Sequence, residues 1–107
     1  MQLVKRVYET TAMFPSDEKF ALTSQIQRAA VSIPSNIAEG SSRTSINDFL
    51  RFLEISLGSA FEVETQIEIA KNLDYLSKEQ YERLIDELHH IQKQISLFSR
   101  RIRESKD

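Results

Sequence analysis

Apolar residues recur along most of this chain at the three-and-four spacing of one helix face, and the pattern is clearest near the C-terminus. There Leu84, Leu88, Ile91, Ile95, Phe98 and Ile102 follow one another at intervals of four, three, four, three and four, a heptad seam. Ser77 followed three residues later by Gln80 forms a capping-box start, so the seam predicts a helix from about Lys78 to about Glu104. Ser45 with Asp48 opens another helix in the same way. Its core-facing positions are Phe49, Leu53, Leu57, Ala60 and Ile67, with Phe52, Ser56 and Val63 on the flank, and it ends near Leu73. Two helices of similar length joined by a short turn are antiparallel neighbours.

Upstream, Asp17 is the candidate cap of a helix running through Glu39 and closed by Gly40, with Leu22, Ile26, Ala29, Ile33 and Ile37 as its inner stripe. Pro34 lies inside that stripe and removes one backbone donor, which predicts a kink; the stripe resumes beyond it, so the helix continues. A first helix carries Leu3, Val7 and Phe14 and ends before Pro15. Four helices with three short connections predict an all-α fold, an antiparallel up-down-up-down four-helix bundle, as a single domain over residues 1–107.

Composition agrees with this architecture and narrows the function. The 107 residues include 33 of the types Ile, Leu, Phe, Val and Met, enough for a core without staples. There is no cysteine, which excludes a disulfide framework and a thiolate metal site. Two glycines leave no phosphate-cradling loop. No apolar run reaches the roughly 18 residues of a membrane span, and Met1-Gln2-Leu3-Val4-Lys5-Arg6 is not followed by the apolar stretch of a secretion signal, so a cytoplasmic location without membrane contact is expected.

Candidate chemistry is sparse. His89 and His90 are adjacent and point about 100° apart on a helix, unlike metal-binding pairs at i and i+4. Antiparallel folding brings Glu62 and Glu64 level with them, which allows a Glu–His contact, but solvated histidines are the expectation. None of the 13 serines lies in a nucleophile turn. No catalytic residue, cofactor site or metal site is expected.

Three sets of residues point instead to binding. Gln25, Arg28, Ser32, Asn36 and Glu39 form a polar row beside the apolar stripe of the second helix, read as an interhelical or intersubunit network with Arg28 paired to a carboxylate such as Glu62. A wheel projection puts Val31 and Ala38 nearly opposite Ile33, with Ala30 to one side. A helix apolar on two sides is buried on two sides, so Ala30, Val31 and Ala38 are the expected subunit interface. In the third helix, Gly58-Ser59-Ala60 suggests the close approach of a neighbouring helix.

The third set is charge. The net value of −2 conceals an uneven distribution. In the bundle expected here, one pole gathers residues 1–7, 29–55 and 91–107 with nine basic against five acidic residues, and the other carries five basic against eleven acidic. Lys5, Arg6, Arg43, Arg51, Arg100, Arg101, Arg103 and Lys106 would then cluster, where they could meet nucleic-acid phosphates or an acidic protein.

The runs Phe14-Pro15, Phe20-Ala21-Leu22-Thr23-Ser24-Gln25-Ile26, Arg28-Ala29-Ala30-Val31-Ser32-Ile33-Pro34-Ser35-Asn36-Ile37-Ala38-Glu39-Gly40, Phe49-Leu50-Arg51-Phe52-Leu53, Leu57-Gly58-Ser59-Ala60 and Glu62-Val63-Glu64-Thr65-Gln66 resemble the bacterial four-helix bundle proteins of the 23S rRNA intervening-sequence family. Relatives of that type include the accessory variability determinants of diversity-generating retroelements, which form pentameric barrels that bind a reverse transcriptase and nucleic acid. The resemblance implies a non-enzymatic homo-oligomer, most simply a pentameric ring, with a nucleic-acid-binding accessory that partners a reverse transcriptase as the alternative. The first helix here is shorter than is usual in the family. Gln27 stands where a basic residue is common, and the sequence pI of about 5.7 is below that of basic, nucleic-acid-binding relatives.

Overall fold

The computed structural model describes residues 1–19 and 21–105. Four helices account for most of them: α1 (Gln2–Thr11), α2 (Leu22–Ser41), α3 (Ile46–Asn72) and α4 (Lys78–Ser105). They pack into a rod of 49 × 24 × 19 Å. Ascending numbers on α2 meet descending numbers on α3: Ser32 Oγ lies 2.8 Å from Ser59 Oγ, and Ser56 Oγ donates to the Ile33 carbonyl at 2.8 Å. The same order holds between α3 and α4, where Tyr81 reaches Glu68, Gln92 reaches Glu64, and Phe98 lies edge-on to Phe49. These pairings make α2, α3 and α4 successive antiparallel neighbours.

The helix starts at Ser45 and Ser77 follow the reading from sequence. Ser45 Oγ accepts from the Asp48 amide at 3.3 Å. At Ser77 both halves of the capping box are made: its Oγ accepts from the Gln80 amide at 3.1 Å, and its own amide donates to Gln80 Oε1 at 2.9 Å.

Asp17 does not cap α2. Pro15 sets up a single 3₁₀ turn at Ser16–Glu18 that absorbs Asp17, and α2 starts only at Leu22 after Ala21, whose φ of −119° and ψ of −103° are not helical. Gly40 also departs from its expected role as a terminator. α2 continues through Ser41, and Gly40 is a buried helical residue with negative φ. A Cβ there would stand 2.8 Å from Phe52 Cβ and 2.9 Å from Phe49 Cδ1, so the glycine allows α2 and α3 to approach. Pro34 is accommodated inside α2 without ending it.

The core runs along the axis through Leu3, Val7, Ile26, Ile33, Leu53, Val63, Ile67, Leu84, Leu88 and Ile95. Ser56 and Val63, placed on the flank from sequence, are fully buried. The α4 seam is buried at Leu84, Leu88 and Ile95, yet Phe98 is 44% exposed. Arg6 of α1 stands opposite Glu87, so α1 reaches only about 8 Å further up α4 at 1.5 Å per residue. Among the described residues, the last turns of that seam are flanked by α3.

Candidate functional site

The polar row of α2 is joined across the helices at one point, Ser32. Asn36 Nδ2 donates to the Ser32 carbonyl and to Ser32 Oγ, both at 2.8 Å, and Ser32 continues to Ser59 on α3. Gln25, Arg28, Ser32, Ser59 and Glu62 border a shared recess between α2 and α3. The ion pair expected between Arg28 and Glu62 is not formed. Arg28 Nη2 donates to Ser24 Oγ at 3.2 Å and Glu62 accepts from Gln66 Nε2 at 3.2 Å, because each finds a partner one turn away on its own helix. Glu39, at the end of the row, instead pairs with Arg43. Of these bonds only Ser32 to Ser59 ties α2 to α3; the others stay within one turn of their own chain segment.

Of the three residues expected to face another subunit, Ala30 is wholly buried in the protomer's own core and is therefore unavailable. Its neighbour α1 covers that side of α2, as the bond from Gln27 Nε2 to Thr11 Oγ1 at 3.0 Å marks. Val31 and Ala38 are on the surface.

The helix with the larger uncovered apolar face is α3. Ile55 (43% exposed), Ile69 (45%) and Leu73 (50%) lie on an outer row that also passes through Gly58 and Glu62. The close helix contact expected at Gly58 is absent: no atom lies within 4 Å of a Cβ built there, because Ser59 and Ala60 are the residues of that turn that face inward. The outer row was legible by the same wheel projection applied to α2, since Ile55 and Leu73 project nearly opposite Leu53 at 100° per residue.

The basic set is divided. Arg43 and Arg51 flank the Phe52 ring at 5.0 and 4.7 Å, and Arg100 and Arg103 line a recess with Leu50 at the same end of the rod; Arg101 lies beside them in the last turns of α4. Lys5 and Arg6 are not there. Arg6 Nε pairs with Glu87 Oε2 at 3.2 Å and Lys5 borders a recess with Arg83, roughly 20 Å of helix below Arg101, because these residues of α1 pack against α4 at the level of Glu87. Lys106 lies outside the described residues.

His89 makes the contact that the fold allowed. Its Nε2 is 3.4 Å from Glu64 Oε2, while Glu64 Oε1 accepts from Gln92 Nε2 at 2.8 Å. One turn below, the Tyr81 hydroxyl donates to Glu68 at 2.5 Å, and this hydrogen bond to a carboxylate, with a smaller contribution from burial, pushes its pKa up to about 12. Burial, followed by the charges of Glu18 and Asp17, also raises the Tyr75 pKa. Among the described residues no group of three or more His, Cys, Asp and Glu side chains could hold a metal ion, and no helix is long and apolar enough to cross a membrane.

The sequence profile of the 23S rRNA-intervening sequence proteins matches residues 1–97. The chain belongs to this family. A solved relative, a protein of unknown function from the S23 ribosomal protein family of Bacteroides thetaiotaomicron, superposes with a TM-score of 0.82 at 28% identity, covering 92% of this chain and 88% of that one. Among curated proteins no match is found. The fit to that relative extends over most of the described bundle, so the packing of its helices is a fold shared with that protein.

Proposed function

We propose that this intervening-sequence protein is a non-catalytic interaction module that assembles with copies of itself through the outer row of α3, and that the assembly is a closed pentameric ring. The observation that carries the reading is the exposed set Ile55, Ile69 and Leu73 around Gly58. A glycine in an exposed helix interior costs about 1 kcal/mol relative to alanine. A second copy pressed against the row would occupy the open space at Gly58 and cover the apolar side chains. Val31 and Ala38 on α2 would form the edge of that contact, while Ala30 takes no part.

In a ring each contact joins two different faces, and closure limits the assembly to a fixed number of copies. The pentamer is the number implied by the resemblance to ring-forming relatives. What favours this reading over a nucleic-acid accessory is the division of the basic set, which leaves a smaller cluster of arginines at one end.

Size-exclusion chromatography with light scattering on the full chain tests the proposal. The expected mass is five times the 12.4 kDa of one chain, and Ile69→Asp should reduce it to a single chain while circular dichroism retains the helix content. A wild-type monomer at micromolar concentration would overturn the self-association reading. A stable assembly that Ile69→Asp leaves intact would place the interface on another face.

A further inference from the structure

The seam between α3 and α4 differs along its length. In its lower half it is stitched by Tyr81 to Glu68 and by Gln92 and His89 to Glu64. Towards the other end two rows face each other: Leu50, Glu54, Leu57 and Phe61 on α3 at spacings of four, three and four, and Lys93, Ser96, Arg100 and Arg103 on α4 at three, four and three. No hydrogen bond or ion pair joins these rows among the described residues. Between them lies a recess of about 420 Å³ lined by Leu50, Glu54, Leu57, Ser96, Ser99, Arg100 and Arg103. Phe61 is half exposed one turn below Leu57.

We infer that this groove is a docking site for a short acidic peptide segment carrying apolar side chains. The α4 wall of the recess holds Arg100 and Arg103, Lys93 continues the row along the same helix face, and none of the three has an ion-pair partner among the described residues. The α3 wall offers a single carboxylate, Glu54. An occupant must therefore be anionic on the α4 side, where carboxylates would find two guanidinium forks and the hydroxyls of Ser96 and Ser99. The floor is aliphatic, so the occupant also needs apolar side chains to cover Leu50 and Leu57.

The cationic row spans ten residues, about 15 Å, which matches nearly three turns of helix or about five residues of extended chain. A nucleic-acid strand fits less well. Glu54 would repel its phosphates across the groove, and the lining of the recess itself, with Phe61 outside it, offers no flat aromatic surface on which bases stack. This site uses a different face of α3 from the outer row of Ile55, Ile69 and Leu73, so it stands whether or not the chain forms a ring.

The test is fluorescence anisotropy on the full chain. The probe is a labelled, N-acetylated twelve-residue alanine-based peptide carrying Glu and Leu pairs at i and i+4. The comparison ligands are the same peptide with Gln for Glu and a twelve-nucleotide oligouridylate. Saturable binding of the acidic peptide at low salt is expected. It should weaken about tenfold in the Gln peptide and about tenfold in Arg100→Gln/Arg103→Gln, the sum of two exposed charge pairs. Arg101→Gln, about 100° round the helix from Arg100, should leave binding unchanged, and Glu54→Gln should strengthen it. Both arginines are near the end of α4, and unchanged circular dichroism checks that the double variant folds. Absence of peptide binding overturns the proposal. So does peptide binding that survives the double variant, tighter binding of the oligouridylate through the same arginines, or a double variant that alters the mass of the assembly and leaves peptide binding intact.

Discussion

The two glycines of the chain should respond in opposite directions to one added methyl group. In a helix interior, Gly→Ala is ordinarily stabilising by about 1 kcal/mol, because alanine has less backbone freedom to lose. At Gly58 that gain meets no opposition within the protomer, since nothing lies within 4 Å of the new Cβ. At Gly40 the new Cβ would stand 2.8 Å from Phe52 Cβ and 2.9 Å from Phe49 Cδ1. The first of these atoms is fixed to the α3 backbone and has no rotamer that moves it away, so α2 and α3 must part by several tenths of an ångström. Overpacking of this kind costs about 1–3 kcal/mol. Against the propensity gain, Gly40→Ala is expected to be net destabilising by up to about 2 kcal/mol, and Gly58→Ala stabilising by about 0.5–1 kcal/mol. At roughly 4 °C per kcal/mol for a domain near 100 residues, the two variants should melt on opposite sides of the wild type. Chemical denaturation monitored by circular dichroism, at a fixed low protein concentration and with Ile69→Asp as the common background, measures both without a contribution from assembly. A Gly40→Ala protein as stable as its parent would refute the argument that the glycine exists for close helix approach. In the wild-type background Gly58→Ala should shift the assembly equilibrium as well, because the proposed interface passes over that position.

Ser56→Ala removes the donor to the Ile33 carbonyl at 2.8 Å inside the core; a loss of about 1 kcal/mol by urea titration is expected, and no loss would mean that the carbonyl is satisfied without it. Leu88→Ala, at a fully buried position, should cost about 3–5 kcal/mol and leave the protein largely unfolded on warming, as the loss of cooperative melting would report. Because the Tyr81 pKa in the folded protein is raised from 10.0 to about 12, its contribution to stability is fully present below pH 10 and is lost as pH rises from there through about 12. Thermal melts across that range should show the decline, and Tyr81→Phe should flatten it; phenolate absorbance that rises with every tyrosine titrating at its ordinary pKa would contradict the bond to Glu68. Ser77→Ala removes one half of a capping box whose two bonds are 2.9 and 3.1 Å, for an expected loss of about 1 kcal/mol.

Helix identity, the start signals at Ser45 and Ser77, and the inner stripes were decided by local rules that act within a few residues, and these are written in the sequence. The spacing of Leu84, Leu88 and Ile95 is enough to predict which face of α4 is buried, because a helix places residues by rotation alone. The polar row of α2 was legible for the same reason, although its partners were not. Arg28 and Glu62 lie on one recess, yet each is satisfied by its own helix, and that choice depends on distances of an ångström that periodicity does not contain.

Where helices stop relative to one another belongs to the tertiary structure. The sequence alone contained α1 with its lysine and arginine, but the pairing of Arg6 with Glu87 fixes its level on the rod. That level, set by packing between residues some eighty apart in the chain, removes Lys5 and Arg6 from the basic end. Gly40 and Gly58 look alike in the sequence, each in a helix beside a serine. Only the approach of Phe49 and Phe52 makes one of them a packing requirement and leaves the other open to solvent, because close contact is a property of two backbones and a glycine's own chain records only one.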